Sequence, residues 1–179
     1  MKSLARLLLI TMTLTVNLLA ENKPLQIGDP APILSAVTDS GATINLGDVY
    51  KAHAYTLVYF YPKAKTGGCT AQGCSLRDAD RELAKLDVFI LGVSTDTVKE
   101  QAEFKAEQQF PFTLLADTDR QVTNAFQLGA AGADGKGNSS RQAYLIHEGK
   151  IVYADHRGAT KEQARQILDF LAMRKRETR

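Results

Sequence analysis

An α/β fold, with a mixed central sheet flanked by helices, is what this sequence predicts, and three observations carry it. Residues 55–61 and 88–94 are continuous apolar runs with the β-branched and aromatic content of strands covered on both faces. Each is followed by a stretch with helical spacing of its apolar residues, which calls for parallel crossovers. Residues 141–147 and 150–154, joined through Glu148-Gly149, read as a late hairpin that gives the sheet an antiparallel edge.

In chain order, Lys2 and Arg6 come first, then an uncharged run over residues 7–19, then Ala20 and the polar Glu21-Asn22-Lys23. A basic start, an apolar middle, a small residue and a polar exit are the order of a secretory signal. The apolar run is too short for the roughly 20 residues of a membrane-spanning helix. Residues 1–20 are therefore expected to be a secretory signal peptide and 21–179 the mature domain, exported and periplasmic. Because Leu18 stands where a small residue usually precedes cleavage, an uncleaved membrane anchor is the alternative.

Residues 25–32, with Pro30 and Pro32, read as an extended lead-in. Residues 35–37 and 43–46, around Asp39-Ser40-Gly41, suggest an N-terminal β-hairpin. Pro62 stops the strand over 55–61. Residues 69–86 have Leu76, Leu83 and Leu86 on one helical stripe, and residues 97–109 read as a second helix with Thr95 or Asp96 available as its cap. A short strand over 112–116 and a short helix over 120–126 follow. Residues 129–140 are rich in Gly, Ala and Ser without an apolar period, the composition of a loop. Residues 160–173 form an amphipathic helix, capped by Thr160, with Ala164, Ile167, Leu168 and Leu171 inward. No repeat or linker divides the chain, so one domain is expected.

Composition narrows the function classes. With 44% hydrophobic and 23% charged residues the chain has the balance of a globular domain rather than a disordered one. The net charge of +2 falls to zero once Lys2 and Arg6 leave with the signal, so no broad field favours nucleic acid. Arg174-Lys175-Arg176 suits the negative end of the last helix. His53, His147 and His156 show no ligand spacing among themselves, and Tyr55, Tyr59, Phe60 and Tyr61 read as sheet core.

The chain has two cysteines, Cys69 and Cys74. Cys69 follows a strand and a Gly67-Gly68 turn at the opening of a helix. There the positive end of the helix dipole and free backbone N–H groups favour an ionised sulfur. In an oxidising compartment a cysteine pair reads first as a structural disulfide. Five residues apart on one helix, however, the two Cα atoms lie about 8–9 Å apart. A disulfide needs less than about 7 Å. The pair joins only if the helix opens locally or Cys74 lies outside it, and Gly67, Gly68 and Gly73 ease that opening. A redox switch suits this spacing better than a staple.

The stretch Pro62-x-x-x-Thr66-x-x-Cys69 resembles the peroxiredoxin active-site motif. Phe60-Tyr61-Pro62-Lys63 through Cys69-Thr70-x-x-x-Cys74-x-x-Arg77-Asp78 is similar to the bacterioferritin comigratory protein, or PrxQ, subgroup. The likeness continues through Leu91-Gly92-Val93-Ser94-Thr95-Asp96, Phe112-Thr113-Leu114-Leu115-Ala116-Asp117 and Arg141-Gln142-Ala143-Tyr144-Leu145-Ile146. The resemblance implies a thioredoxin-like fold and an antioxidant thiol peroxidase acting on hydrogen peroxide and organic hydroperoxides. It implies Cys69 as peroxidatic nucleophile and Cys74 as resolving cysteine in an intramolecular disulfide. Thr66 and Arg141 would orient the peroxide, and Pro62 would shield the sulfur. A thioredoxin-type reductant and no metal, haem or flavin belong to the same expectation; a monomer without stable membrane association is expected after signal removal.

Ionisation alone is too small an effect for such chemistry. A free thiol is about 3% ionised at neutral pH, and raising that to three-quarters gains roughly 25-fold. Cleaving the O–O bond also needs donors aimed at the departing oxygen, which Thr66, the Cys69 N–H and the Arg141 guanidinium would supply. Read without the resemblance, Thr66 is equally a helix cap and Arg141 a strand-edge cation. Two departures stand out, Gly67 where the subgroup commonly has Pro and Gln72 where it often has Glu. A disulfide oxidoreductase would want Cys-x-x-Cys, and a copper or zinc carrier would need a histidine near the cysteines, for which His147 is the nearest candidate.

Overall fold

The computed structural model describes residues 23–129 and 139–177. The expected signal over 1–20 and most of the expected loop over 129–140 lie outside the described residues. The elements are β1 (Ser35–Val37), β2 (Thr43–Asn45), α1 (Leu46–Ala52), β3 (Tyr55–Phe60), α2 (Gly67–Asp78), α3 (Asp80–Lys85) and β4 (Val88–Ser94). They continue as α4 (Val98–Gln108), β5 (Thr113–Ala116), α5 (Gln121–Ala125), β6 (Gln142–His147), β7 (Lys150–Asp155) and α6 (Gln163–Glu177).

Five strands form one sheet in the order β5-β4-β3-β6-β7. β3, β4 and β5 run parallel, β6 is antiparallel to β3, and β7 is antiparallel to β6 with a register shift at Leu145/Ile146. The mixed sheet, the flanking helices and the β1–β2 hairpin all match the expected α/β class.

Strand alternation splits the core between the two faces. Leu57, Tyr59, Ile90, Leu114 and Leu145 point to one side, where Leu76, Phe104, Ile167 and Leu171 pack on them. Val58, Phe60, Leu91, Leu115 and Tyr144 point to the other, under Leu46, Val122 and Phe126. Each fully buried leucine here is worth about 1.5–3 kcal/mol relative to exposure.

The N-terminal segments blunt both outer strands. Gly28 N donates to Ile151 O at 2.8 Å, Ile151 N to Asp29 O at 3.0 Å, and Ala31 N to Gly149 O at 2.9 Å, so the lead-in lies along β7. On the far side Asp39 N donates to Leu114 O at 2.8 Å and Leu114 N to Asp39 Oδ1 at 2.9 Å, which occupies β5. These bonds occupy part of each edge that would otherwise invite another chain.

Several element ends differ from expectation. Leu46 does not end a strand; it starts α1, which Asn45 caps through Asp48 N at 3.3 Å. The helix expected over 69–86 begins at Gly67 and breaks at Ala79, where φ −98° and ψ 3° end α2; Asp80 and Glu82 then suit the fresh N-terminus of α3. Neither Thr95 nor Asp96 caps α4. Thr97 does, in a capping box in which Glu100 N donates to Thr97 Oγ1 and Thr97 N donates to Glu100 Oε2. α6 begins at Gln163 rather than Thr160, whose carbonyl accepts Gln163 N at 3.3 Å. Its inner face includes Gln163, fully buried, while Leu168 is only partly covered.

Candidate active site

β3 leads directly into the reactive segment. Tyr61 N donates to Val93 O at 3.0 Å, and half-buried Pro62, with no N–H, ends the ladder. The loop that follows is tied down by Asp96, which is 4% exposed. Its Oδ2 accepts Ala64 N at 2.7 Å and the Ser94 hydroxyl at 2.7 Å, and its Oδ1 accepts Lys63 Nζ at 3.1 Å. Lys65, at φ 62°, turns the chain and reaches Glu103 at 3.0 Å and Glu107 at 2.6 Å on α4. The loop is thus fixed to β4 and α4 before α2 starts.

Thr66 is the backbone N-cap of α2, but its side chain caps nothing. The hydroxyl donates instead to Lys63 O at 3.0 Å. With that hydrogen committed, the exposed oxygen is left as an acceptor. Thr70 N to Thr66 O, at 2.8 Å, is the first helical bond, so the N–H groups of Gly67, Gly68 and Cys69 precede the ladder. Cys69, third in the helix and 1% exposed, lies beneath exposed Thr66, Gly67 and Gly68.

Arg141 precedes β6, and the pairing of Phe60 with Gln142 sets it beside the end of β3. Its Nη2 donates to Cys69 Sγ at 3.3 Å and its Nη1 to Gln72 Oε1 at 2.6 Å. Two glycines make room for this side chain. A Cβ on Gly68 would stand 3.1 Å from Arg141 Nη2, and one on Gly158 would stand 2.5 Å from the Arg141 carbonyl. Gly158 also has φ +65°, in a turn where Asp155 Oδ1 accepts Gly158 N at 3.0 Å and Asp155 Oδ2 accepts Ala159 N at 2.8 Å. Gln72, fully buried, passes the chain onward through Nε2 to Gln163 Oε1 at 2.9 Å.

Cys74 is half-buried, and its thiol faces Gln108 Oε1 at 3.6 Å, while Arg77 Nη1 donates to Gln108 O at 2.8 Å. Both cysteines are free thiols on one unbroken helix. Gly73 does more than weaken that helix: a Cβ there would come within 2.9 Å of Phe110 Cε1, so the glycine lets Phe110 lie against α2. Gly67 has open space around it. Below the site, burial pushes the Tyr59 and Tyr61 phenols up, so both stay neutral. Tyr61 donates to Gln101 Oε1, and Gln101 Nε2 donates to Ser94 Oγ and Leu115 O, each at 2.8 Å.

Of the residues singled out in the sequence, Cys69 and Arg141 meet directly, Thr66 precedes the helix that carries Cys69, Pro62 follows the end of β3, and Cys74 sits on another face of the same helix. His147 belongs elsewhere: its ring stacks on Tyr55 at 4.7 Å and Nδ1 lies 2.7 Å from Ala54 O. That is the start of β3, about 17 Å along the strand from the loop bearing the thiol. Sequence reasoning missed the roles of Asp96, Gly158 and Gln163. The Asp155-x-x-Gly158 turn was the available signal for the glycine; nothing local marked Gln163.

This arrangement presents a sulfur at a helix N-terminus, a guanidinium at hydrogen-bond distance and an acceptor hydroxyl above. The model of the AhpC/TSA family matches residues 27–154. A putative peroxiredoxin Bcp of Haemophilus influenzae is 36% identical over 152 residues, covering 83% of this chain and 97% of that protein. Among solved structures, peroxidoxin BcpB of Mycobacterium tuberculosis superposes with TM-score 0.78 at 26% identity, over 83% of this chain and 97% of that one. The Xanthomonas campestris bacterioferritin comigratory protein, described for its alkyl peroxide reduction activity, gives TM-score 0.71 at 30% identity, over 79% and 91%.

Proposed function

The chain belongs to the AhpC/TSA family and is a thiol-dependent peroxidase of thioredoxin-like fold; we propose that Cys69 is its peroxidatic nucleophile and Cys74 its resolving residue. The ionised Cys69 sulfur attacks the terminal oxygen of a hydroperoxide. The O–O bond breaks, the remaining oxygen leaves as an alcohol or water after taking up a proton, and Cys69 becomes a sulfenic acid. Arg141 and the first-turn N–H groups of α2 supply donors where negative charge grows, and the Thr66 oxygen accepts the peroxide hydrogen. The Cys74 sulfur then attacks the sulfenic sulfur, water departs, and a Cys69–Cys74 disulfide forms. A dithiol reductant of thioredoxin type returns both thiols.

The disulfide requires α2 to open, because two helical Cα atoms five residues apart exceed the distance a disulfide spans. Opening separates Gln72 from Arg141 and lifts Gly73 from Phe110. The proposal extends to export to the periplasm, supported by the basic, apolar and polar order of residues 1–23, and to action as a monomer. Among the described residues no helix is long and apolar enough to cross a membrane.

The observation that carries the assignment is the 3.3 Å contact of Arg141 Nη2 with Cys69 Sγ at the start of α2. Cys69→Ser should abolish peroxide consumption in the presence of a thioredoxin-type reductant. Normal turnover by that variant would overturn the assignment.

A further inference from the structure

Every nitrogen of Arg141 is a donor, and that sets the polarity of the groups behind it. Its Nη1 donates to Gln72 Oε1 at 2.6 Å, so Gln72 turns Nε2 away, toward Gln163 Oε1 at 2.9 Å. Gln163 is then left with its own Nε2 buried and without a hydrogen-bond partner, although both glutamines are fully buried. A buried amide donor left unpaired is unfavourable, and such groups are rare. Turning the Gln163 amide over would not relieve it, since two NH₂ groups would then face each other. The unpaired donor persists because the oxygen on the other side of the amide is needed.

We propose that Gln163, the first residue of α6, is a positioning residue for the peroxide step: acting through Gln72, it holds the Arg141 guanidinium beside Cys69 without setting a carboxylate against it. The inference rests on the reading of Cys69 as nucleophile. Among the described residues no acidic oxygen forms an ion pair with Arg141. Neutral amides orient the guanidinium while leaving its charge directed at the sulfur and the departing oxygen; a carboxylate would share that charge. The support is rigid, because Ala164 N also donates to Ser75 Oγ at 3.1 Å, docking the start of α6 on α2.

The test is Gln163→Met, which keeps the length of the side chain and removes its amide. The second-order rate of Cys69 thiol loss with hydrogen peroxide should fall about tenfold. The pH profile of Cys69 alkylation by iodoacetamide should move to more alkaline pH, a readout that simple loss of packing would leave in place. Gln163→Glu keeps an oxygen toward Gln72 but sets a carboxylate behind the guanidinium, and should leave the rate below wild type; full restoration by Glu would overturn the need for a neutral support. In an Arg141→Lys background Gln163→Met should change the rate by less than about twofold, because the group it acts through is gone.

A Gln163→Met protein with wild-type rate and profile, or one that slows Arg141→Lys by the same factor, overturns the positioning role. If Gln163→Met does not fold, Gln72→Met cuts the same chain one link nearer the sulfur, and unchanged rate and profile there also overturn it. Cys69→Ser measured alongside separates the two readings: peroxide turnover by that variant defeats the nucleophile itself, whatever residue 163 does.

Discussion

Arg141 Nη2 lies 3.3 Å from Cys69 Sγ, a contact made across 72 positions of chain by the antiparallel pairing of β3 with β6. Arg141→Ala should lower the second-order rate with hydrogen peroxide by about 10²–10³-fold, the usual effect of losing a donor at developing charge. Stability should fall by no more than about 1–3 kcal/mol, from the Gln72 oxygen left buried without its donor. Stopped-flow thiol loss and urea unfolding check the two parts. An unchanged rate with a large loss of stability would make Arg141 a structural residue.

Cys74 meets Gln108, not Cys69, in the reduced protein, so its removal leaves the first oxidation intact. Cys74→Ser should consume one equivalent of peroxide and stop at the sulfenic acid. Excess peroxide should then drive Cys69 to the sulfinic state, which mass spectrometry reads directly. Sustained multi-turnover activity with a thioredoxin-type reductant would remove Cys74 from the resolving role.

Gly158 lies at φ +65° against the Arg141 side chain. Gly158→Ala brings a left-handed conformation onto a residue with a Cβ and drives that Cβ toward the Arg141 carbonyl. A loss of about 1–3 kcal/mol in unfolding free energy is expected, together with a slower peroxide step as Arg141 is displaced. A variant that loses stability but keeps the wild-type rate would show that the guanidinium is placed independently of this turn.

Gly67 is the first residue of α2, nothing stands within 4 Å of where its Cβ would be, and Thr66 before it is already extended at φ −86° and ψ 151°. Proline is favoured at a first helical position and needs an extended predecessor. Gly67→Pro should therefore stabilise the protein by about 0.4–1 kcal/mol, mainly by restricting the unfolded chain. Thermal unfolding checks it; a lowered midpoint would mean that the backbone freedom or N–H of Gly67 is in use.

Some of the site was legible because its information is local. The strand that stops at Pro62, the Gly67-Gly68 turn and the cysteines on one helix occupy neighbouring positions, and short-range backbone rules act over that span. α1 escaped notice since seven residues after a strand are too few to show a helical period. Thr66 reads as a cap for a helix expected to start at Cys69; the helix starts at Gly67, and the Thr66 hydroxyl donates back to Lys63 O instead of accepting a helix N–H, a choice that residue type does not express. Asp96 looked like a helix cap because Asp often is one; in the fold its carboxylate is committed to Ser94, Lys63 and Ala64 instead.

By itself the sequence determined most of the runs that become strands and helices, α1 and the break at Ala79 excepted, and that a thiol opens a helix after the third strand, because apolar spacing and turn residues act within a few positions. Only the tertiary structure decided that Gln72 answers to Arg141, 69 positions on, and to Gln163, 91 positions on. It also decided that His147 lies at the far end of β3 from the thiol. The physical reason is register: which side chains face each other follows from how strands pair and where the last helix docks, and a shift of one residue would have turned each to the opposite face.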